Sequence, residues 1–240
     1  MAQHISRKEL KTDEVRETFA HGAEAVLSHQ QGMTYVLILA AIVAAAIFGW
    51  RTYAERQTVK ASAAFDDAMK TFQAPVGFTG APPVPGEPTF LNETAKFTQA
   101  APKFEDAAKK YPHTRPGQLS GYYAGLCLVH LQKDSEAKQW LQSAAGSGDA
   151  DFAAMARFEL AQLYDRAGQN DEVVKIYQQM MAKPSTLVPK SVVMLALAEH
   201  YGQKNPTEAA KLYGQIKSEY PDTPMAQQAD QELALLPGKT

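Results

Sequence analysis

Two hydrophobic regimes succeed one another along the chain. Residues 34–50, TYVLILAAIVAAAIFGW, are apolar without interruption and carry no charge. From Thr52 onward, apolar and small residues recur every three or four positions, and no stretch alternates at the two-residue period of a strand. The first such stripe, Ala61, Ala64, Phe65, Ala68, Met69 and Phe72, continues straight out of the apolar run. It stops at residues 75–88, PVGFTGAPPVPGEP, where five prolines and three glycines in 14 positions exclude both helix and central strand. Ahead of the apolar run, Val15, Phe19, Ala23 and Val26 lie on one stripe of a predicted amphipathic helix between Glu9 and Gln30. The pattern predicts an all-α chain.

Beyond the Pro-rich insertion the helical pattern repeats. Aligned on a small or branched residue, Ala100, Ala137, Val173 and Ala209 stand at intervals of 37, 36 and 36. Four residues after each comes a large apolar side chain (Phe104, Leu141, Tyr177, Tyr213), and three further on a small or apolar one (Ala107, Ala144, Met180, Ile216). Pro112 and Pro221 end their helices within the matched stretches KKYPHT and SEYPDT, and Pro184 falls one residue early in its unit. Between these second helices, the pairs Ala124-Gly125, Leu160-Ala161 and Leu197-Ala198 set a small residue where two helices must approach closely.

This order of residues resembles the tetratricopeptide repeat, a helix-turn-helix unit whose neighbours stack into a solenoid. The resemblance covers roughly residues 90–236. The first unit reads as split, with residues 55–73 as its first helix and 92–111 as its second. Residues 225–236 read as a capping helix, with Thr223 as N-cap and Pro224 at the first helical position. Stacked hairpins present their first helices to a concave surface that holds polypeptide segments. In this frame the groove is lined by Leu119, Tyr122, Leu126 and Val129 of the second unit, Met155, Phe158, Gln162 and Asp165 of the third, and Leu195 and Glu199 of the fourth.

The apolar run reads as one transmembrane helix. Seventeen residues make a helix of roughly 25 Å, near the lower limit for a hydrocarbon core. Its eight Val, Leu, Ile and Phe favour insertion by roughly 2 to 5 kcal/mol. Tyr35, Trp50 and Tyr53 stand where interface aromatics belong, and Arg51 closes the span. The rival reading, a cleaved signal peptide, wants a short basic leader, whereas 33 residues with four Lys/Arg and five Asp/Glu precede the run. Charge leaves orientation open: the N-side contributes Arg16 and the C-side Arg51, Arg56, Lys60 and Lys70. Ala-rich turns permit close approach of two spans, so homo-oligomerisation through them is also open.

Composition removes most other functions. A formal net charge of −2, with its charges spread, gives no basic field for nucleic acid. The single cysteine, Cys127, excludes an internal disulfide and a cysteine zinc cluster, and its apolar neighbours predict a buried small hydrophobe. There is no nucleotide loop, no nucleophile-base motif and no histidine pair at metal spacing, so no catalytic residue, cofactor or metal is expected. His130, His200, Asp165 and Glu199 read as structural or solvated groups on helices, and the sequon at Asn92 as relevant only to a eukaryotic secretory setting.

A polar leader (1–33), one span (34–50) ending in Gly49-Trp50-Arg51, a membrane-proximal helix (51–73) containing AERQTVKASAAFDDAM, an insertion (74–91) and degenerate repeats (92–236) with KKYPHT together resemble the ancillary subunit family of the bacterial SecYEG translocon. That resemblance implies a single-pass protein of the bacterial inner membrane, its N-terminus cytoplasmic and its repeats periplasmic. The implied partners are translocon subunits, a periplasmic chaperone and exported polypeptides. The Pro-rich insertion departs from the family's compact first repeat. The alternative function is a structural scaffold in envelope assembly or cell division that uses the same groove.

Overall fold

In the computed structural model of the protein, residues 30–77, 88–202 and 204–237 are described. The expected amphipathic leader and most of the Pro-rich insertion lie outside them. The chain divides into two compact units, Met1–Arg56 and Gln57–Thr240. A long helix, α1 (Gln30–Phe72), supplies residues to both.

Within the first unit, α1 is apolar all round over residues 34–50. Leu37, Ile38, Val43, Ile47, Phe48 and Trp50 are between 48% and 74% exposed. By length and composition, the Thr34–Phe72 part of α1 is long and apolar enough to cross a membrane.

The second unit is built from α2 (Glu93–Lys110), α3 (Arg115–His130), α4 (Asp134–Ala145), α5 (Ala150–Arg166), α6 (Asn170–Ala182), α7 (Lys190–Tyr201), α8 (Pro206–Glu219) and α9 (Pro224–Leu235), together with the end of α1. From α2 onward each helix packs on the next in sequence. In addition α3 packs directly on α5, and α7 on α9, whereas α4, α6 and α8 are joined mainly through these first helices. In a solenoid of stacked hairpins, first helices in contact with one another are the layer expected to line the binding face.

Packing follows the 36-residue period. Phe104, Leu141, Tyr177 and Tyr213 are 0–3% exposed, and Ala100, Ala137, Val173 and Ala209, four residues before them, are fully buried. Each large side chain fills a space opened by small residues opposite. A Cβ added to Gly125 would meet Leu141 Cγ at 2.7 Å, which shows how close α3 and α4 lie. In the first hairpin, Phe72 of α1 packs against Phe97, Phe104 and Tyr123 at centroid distances of 5.6, 6.0 and 5.2 Å, and Ala68 is wholly buried in the same cluster. The stems of the insertion are clasped by two backbone bonds, Gly77 N–H to Phe90 O (2.9 Å) and Phe90 N–H to Pro75 O (3.2 Å). The clasp holds the end of α1 beside the start of α2, where Phe72 meets Phe97.

The repeated Tyr-Pro-x-Thr is the joint between hairpins. Thr114 Oγ1 donates to Tyr111 O (2.9 Å), closing α2, and accepts from Gly117 N–H (3.2 Å), opening α3. Thr223 does the same with Tyr220 O (2.7 Å) and Ala226 N–H (3.2 Å). One hydroxyl thus satisfies groups at both helix ends, and the proline removes a donor that has no partner there. Asn92 likewise caps α2 by accepting from Ala95 N–H (2.8 Å), so its side chain has a structural use.

Gly168 turns α5 into α6 at φ +70°, a left-handed conformation, with open space where a Cβ would sit. Gly125 is crowded instead. Gly168→Ala should therefore cost about 1 kcal/mol through the backbone alone, and Gly125→Ala about 1–3 kcal/mol through overpacking. In urea unfolding, adding Leu141→Val should recover stability in Gly125→Ala and only lower it in Gly168→Ala; equal responses would contradict this packing.

Candidate functional site

The first-helix face begins apolar. Leu119, Leu126 and Val129 of α3 and Met155 of α5 are half-buried and pack at the edge of a cluster formed by Tyr122, Leu128, Leu141, Leu160 and Leu163. Phe158 is also half-buried, its ring 5.8 Å from that of Tyr177. Gln162 is half-buried, and Glu199 is exposed and accepts from Gln228 Nε2 of α9 (3.1 Å).

Two of the expected lining residues belong to the core. Tyr122 is 6% exposed and joins the α3–α4–α5 cluster, its ring 5.3 Å from that of Tyr123. Leu195, also 6% exposed, packs with Met194, Ala198, Tyr213 and Ile216 between α7 and α8. Each first helix is wedged between two neighbours, so its apolar arc is wider than its groove-facing arc. Tyr122 and Leu195 fall on the part that neighbours cover.

Asp165 is not simply solvated. It accepts from His200 Nδ1 (2.8 Å) and Lys204 Nζ (2.9 Å), and Lys204 also donates to Asn170 Oδ1 (2.9 Å). Since Asp165 only accepts when ionised, His200 Nδ1 carries the proton. His200 is 6% exposed. Aspartate, histidine and lysine thus tie α5 to α7 and to the start of α6, rather than leaving a carboxylate to work on a ligand. Nothing in the sequence signals this tie, because the partners stand 35 and 39 positions away. Burial alone would push the Asp165 carboxyl up, but the Lys204 and His200 hydrogen bonds and charges prevail and hold it below the usual aspartate range. His130, the other first-helix histidine, is exposed and stacks on Phe97 at 4.2 Å.

Glu159 bears no sequence signal of a special role. It stands beside Phe158 on α5, half-buried, and burial raises its pKa while the charge of Arg166 works against the rise. Glu199 is raised as well, by burial first and then by the like charge of Glu232 on α9, with the Gln228 hydrogen bond opposing. No group of three or more His, Cys, Asp or Glu among the described residues is disposed to hold a metal ion. Cys127 is fully buried beside Phe97, Phe104 and Ala124, and burial pushes its thiol up to about 12.

Antiparallel hairpins stacked at a constant period, with a mixed apolar and acidic inner face, define a helical-repeat interaction module. The chain belongs to the tetratricopeptide repeat-like domain family, which matches residues 29–185, and a further tetratricopeptide repeat matches residues 191–223. Two solved structures share the fold. One is a putative kinesin light chain from Podosopora anserina with nearly identical TPR-like repeats, similar over 73% of this chain and 84% of its own at 15% identity and a TM-score of 0.53. The other is a variant form of that protein, with the same identity and coverage and a TM-score of 0.54. No curated protein matches the sequence. Repeats of this family serve as protein-interaction adaptors.

The Asp165 tie has a pH signature. A carboxylate whose folded pKa is depressed adds stability above its unfolded value, near pH 4, and loses it as pH falls through the lower folded value. Asp165→Asn should therefore melt below the wild type at pH 6, and the gap should close as the pH is lowered past about 4. A gap that does not shrink at all as the pH is lowered through the acid range below about 4 would mean that the carboxylate's charge contributes nothing.

Proposed function

We propose that this protein is a membrane-tethered adaptor of the bacterial export machinery: single-pass in the inner membrane, with a cytoplasmic N-terminus and periplasmic repeats that bind polypeptide partners at the SecYEG translocon. The observation that carries this reading is α1. An apolar segment whose side chains are all exposed runs on, within one helix, to Phe65, Ala68 and Phe72, which build the first repeat. Uncovered apolar surface of that length needs a non-aqueous surround. One helix therefore serves as both anchor and repeat element. The resemblance to the ancillary translocon subunits supports the orientation and the partners: translocon subunits, a periplasmic chaperone and polypeptides emerging during export.

The test has two arms. A reporter active only outside the cytoplasm, fused after Thr240, should be active; cytoplasmic activity would sink the topology. A photo-crosslinking residue at Phe158 should capture a translocon subunit, a periplasmic chaperone or an exported chain, and the same residue at Gln179, exposed on α6, should capture none of them. Equal capture at both positions, or at neither, would remove the groove from the function.

A further inference from the structure

Lysine and arginine beside a membrane span are normally kept on the cytoplasmic side. The topology proposed above instead exports Arg51, Arg56, Lys60 and Lys70 and retains only Arg16 of the cations near the span. Positive charge on the exported flank works against that orientation, so it needs a use of its own once the helix is in place.

Arg51 and Arg56 find none within the protein. Both are exposed on α1, and neither forms an ion pair, a hydrogen bond or a ring contact among the described residues. Glu55, also exposed, lies four residues after Arg51, the spacing of a helical ion pair, and does not pair with it. In the repeats, by contrast, the cations of Lys103, Arg115 and Lys190 reach carboxylates at 2.8, 3.1 and 2.9 Å.

Their place on the helix supplies the partner that the protein lacks. Arg51 follows Trp50 directly, and Arg56 stands six residues beyond Trp50, about 9 Å along the axis. Side chains on a helix lean toward its N-terminus, which here is the side of the apolar run, so both guanidinium groups reach back toward the end of the span. A headgroup layer is roughly 5 to 8 Å thick, and the lean brings even Arg56 into it. Trp50 and Tyr53, 72% and 60% exposed, have the amphipathic rings that settle at the same depth. All four residues belong to the Met1–Arg56 unit. At about 100° per residue the two arginines are about 140° apart around the helix, so they address separate lipids.

We propose that Arg51 and Arg56 are a binding site for anionic phospholipids, each guanidinium holding a headgroup phosphate while Trp50 and Tyr53 fix the depth of the helix. A guanidinium matches phosphate oxygens with paired N–H donors. An anionic lipid lacks the ammonium group that cancels this attraction in a zwitterionic one, so the site selects by net headgroup charge. An acidic protein segment would suit the same cations, but the phosphate is the anion that lies at this depth wherever the span is inserted. The proposal rests on α1 crossing the membrane and names the lipid that its exported end holds.

Trp50 is the reporter for the test. In a Trp140→Phe background it is the sole tryptophan, and bromine on a lipid acyl chain quenches it on contact. The full chain is reconstituted in phosphatidylcholine bilayers containing a minor fraction of either brominated phosphatidylglycerol or brominated phosphatidylcholine. Phosphatidylglycerol should bind about fivefold more tightly at low salt, with the preference falling toward one as salt is added. Arg51→Gln with Arg56→Gln, which keeps helix propensity, should abolish the preference while leaving quenching by brominated phosphatidylcholine unchanged, since the helix stays inserted. Lys175→Gln with Lys211→Gln removes the same charge from α6 and α8, where each lysine has only a weak local pair, and should leave the preference intact. Equal affinity for the two lipids in the wild type, a preference that survives loss of both arginines, or one lost equally with the lysines would overturn the proposal and leave the tether standing. Quenching by neither lipid would place Trp50 outside the bilayer and remove the tether itself.

Discussion

Everything in the repeat unit depends on one steric relation: a large side chain on each second helix enters a space that exists only because the facing helices carry alanine or glycine. Phe104, Leu141, Tyr177 and Tyr213 are buried almost completely, and the residues that make room for them are Gly125, Ala161 and Ala198 and their neighbours. No hairpin owns the whole of such a contact. The cluster around Leu141 draws on α3, α4 and α5, and that around Tyr177 on α5, α6 and α7. Stability is therefore shared between neighbours, as expected of a quasi-one-dimensional array, and the ends need closing. At one end α9 closes the stack. At the other, α1 supplies Phe65, Ala68 and Phe72, so the helix that carries the apolar segment is also structural for the first repeat.

That division of labour sets what each layer is free to do. Second helices are committed to filling the interior, and only their outward faces remain, laced with local ion pairs such as Glu172–Lys175 and Glu208–Lys211 that contribute little. First helices pack on two neighbours and keep a narrow strip facing inward. Within it, Asp165 is taken up by the tie to His200 and Lys204, and Glu199 by the hydrogen bond from Gln228 of α9. Proximity to the groove alone does not make a residue available for binding; an existing partner withdraws it.

The difference between periodic and non-periodic information explains what is legible in the sequence. Intervals of 37, 36 and 36 residues, with the same residue classes at each, locate the second helices, because a repeated steric relation leaves a repeated trace. The Pro-rich break marks where the first hairpin is interrupted, though not that Gly77 and Phe90 clasp its stems. Groove residues are harder to place. A first helix is apolar over an arc that spans both of its neighbours, and one-dimensional spacing cannot say where the covered part ends; Tyr122 and Leu195 lie just inside that limit. The Asp165–His200–Lys204 tie occurs once, between different repeats, and so leaves no periodic mark. Glu159 has the sequence signature of a solvated charge beside Phe158, and only the packed helices around it make it half-buried.

The repeats are degenerate, and the manner of their degeneracy is informative. At the large position the first two units carry Phe104 and Leu141, which have no polar atom, and the last two carry Tyr177 and Tyr213, whose rings fill the same space but end in a hydroxyl. Burial drives both hydroxyls away from ionisation, Tyr213 to about 12, so each stays a neutral donor. Phenylalanine would fill the interior equally well there, as it does at Phe104. The large position therefore accepts a change of side chain so long as the volume that fills the interior is kept, which is how the repeats diverge in sequence without losing their packing.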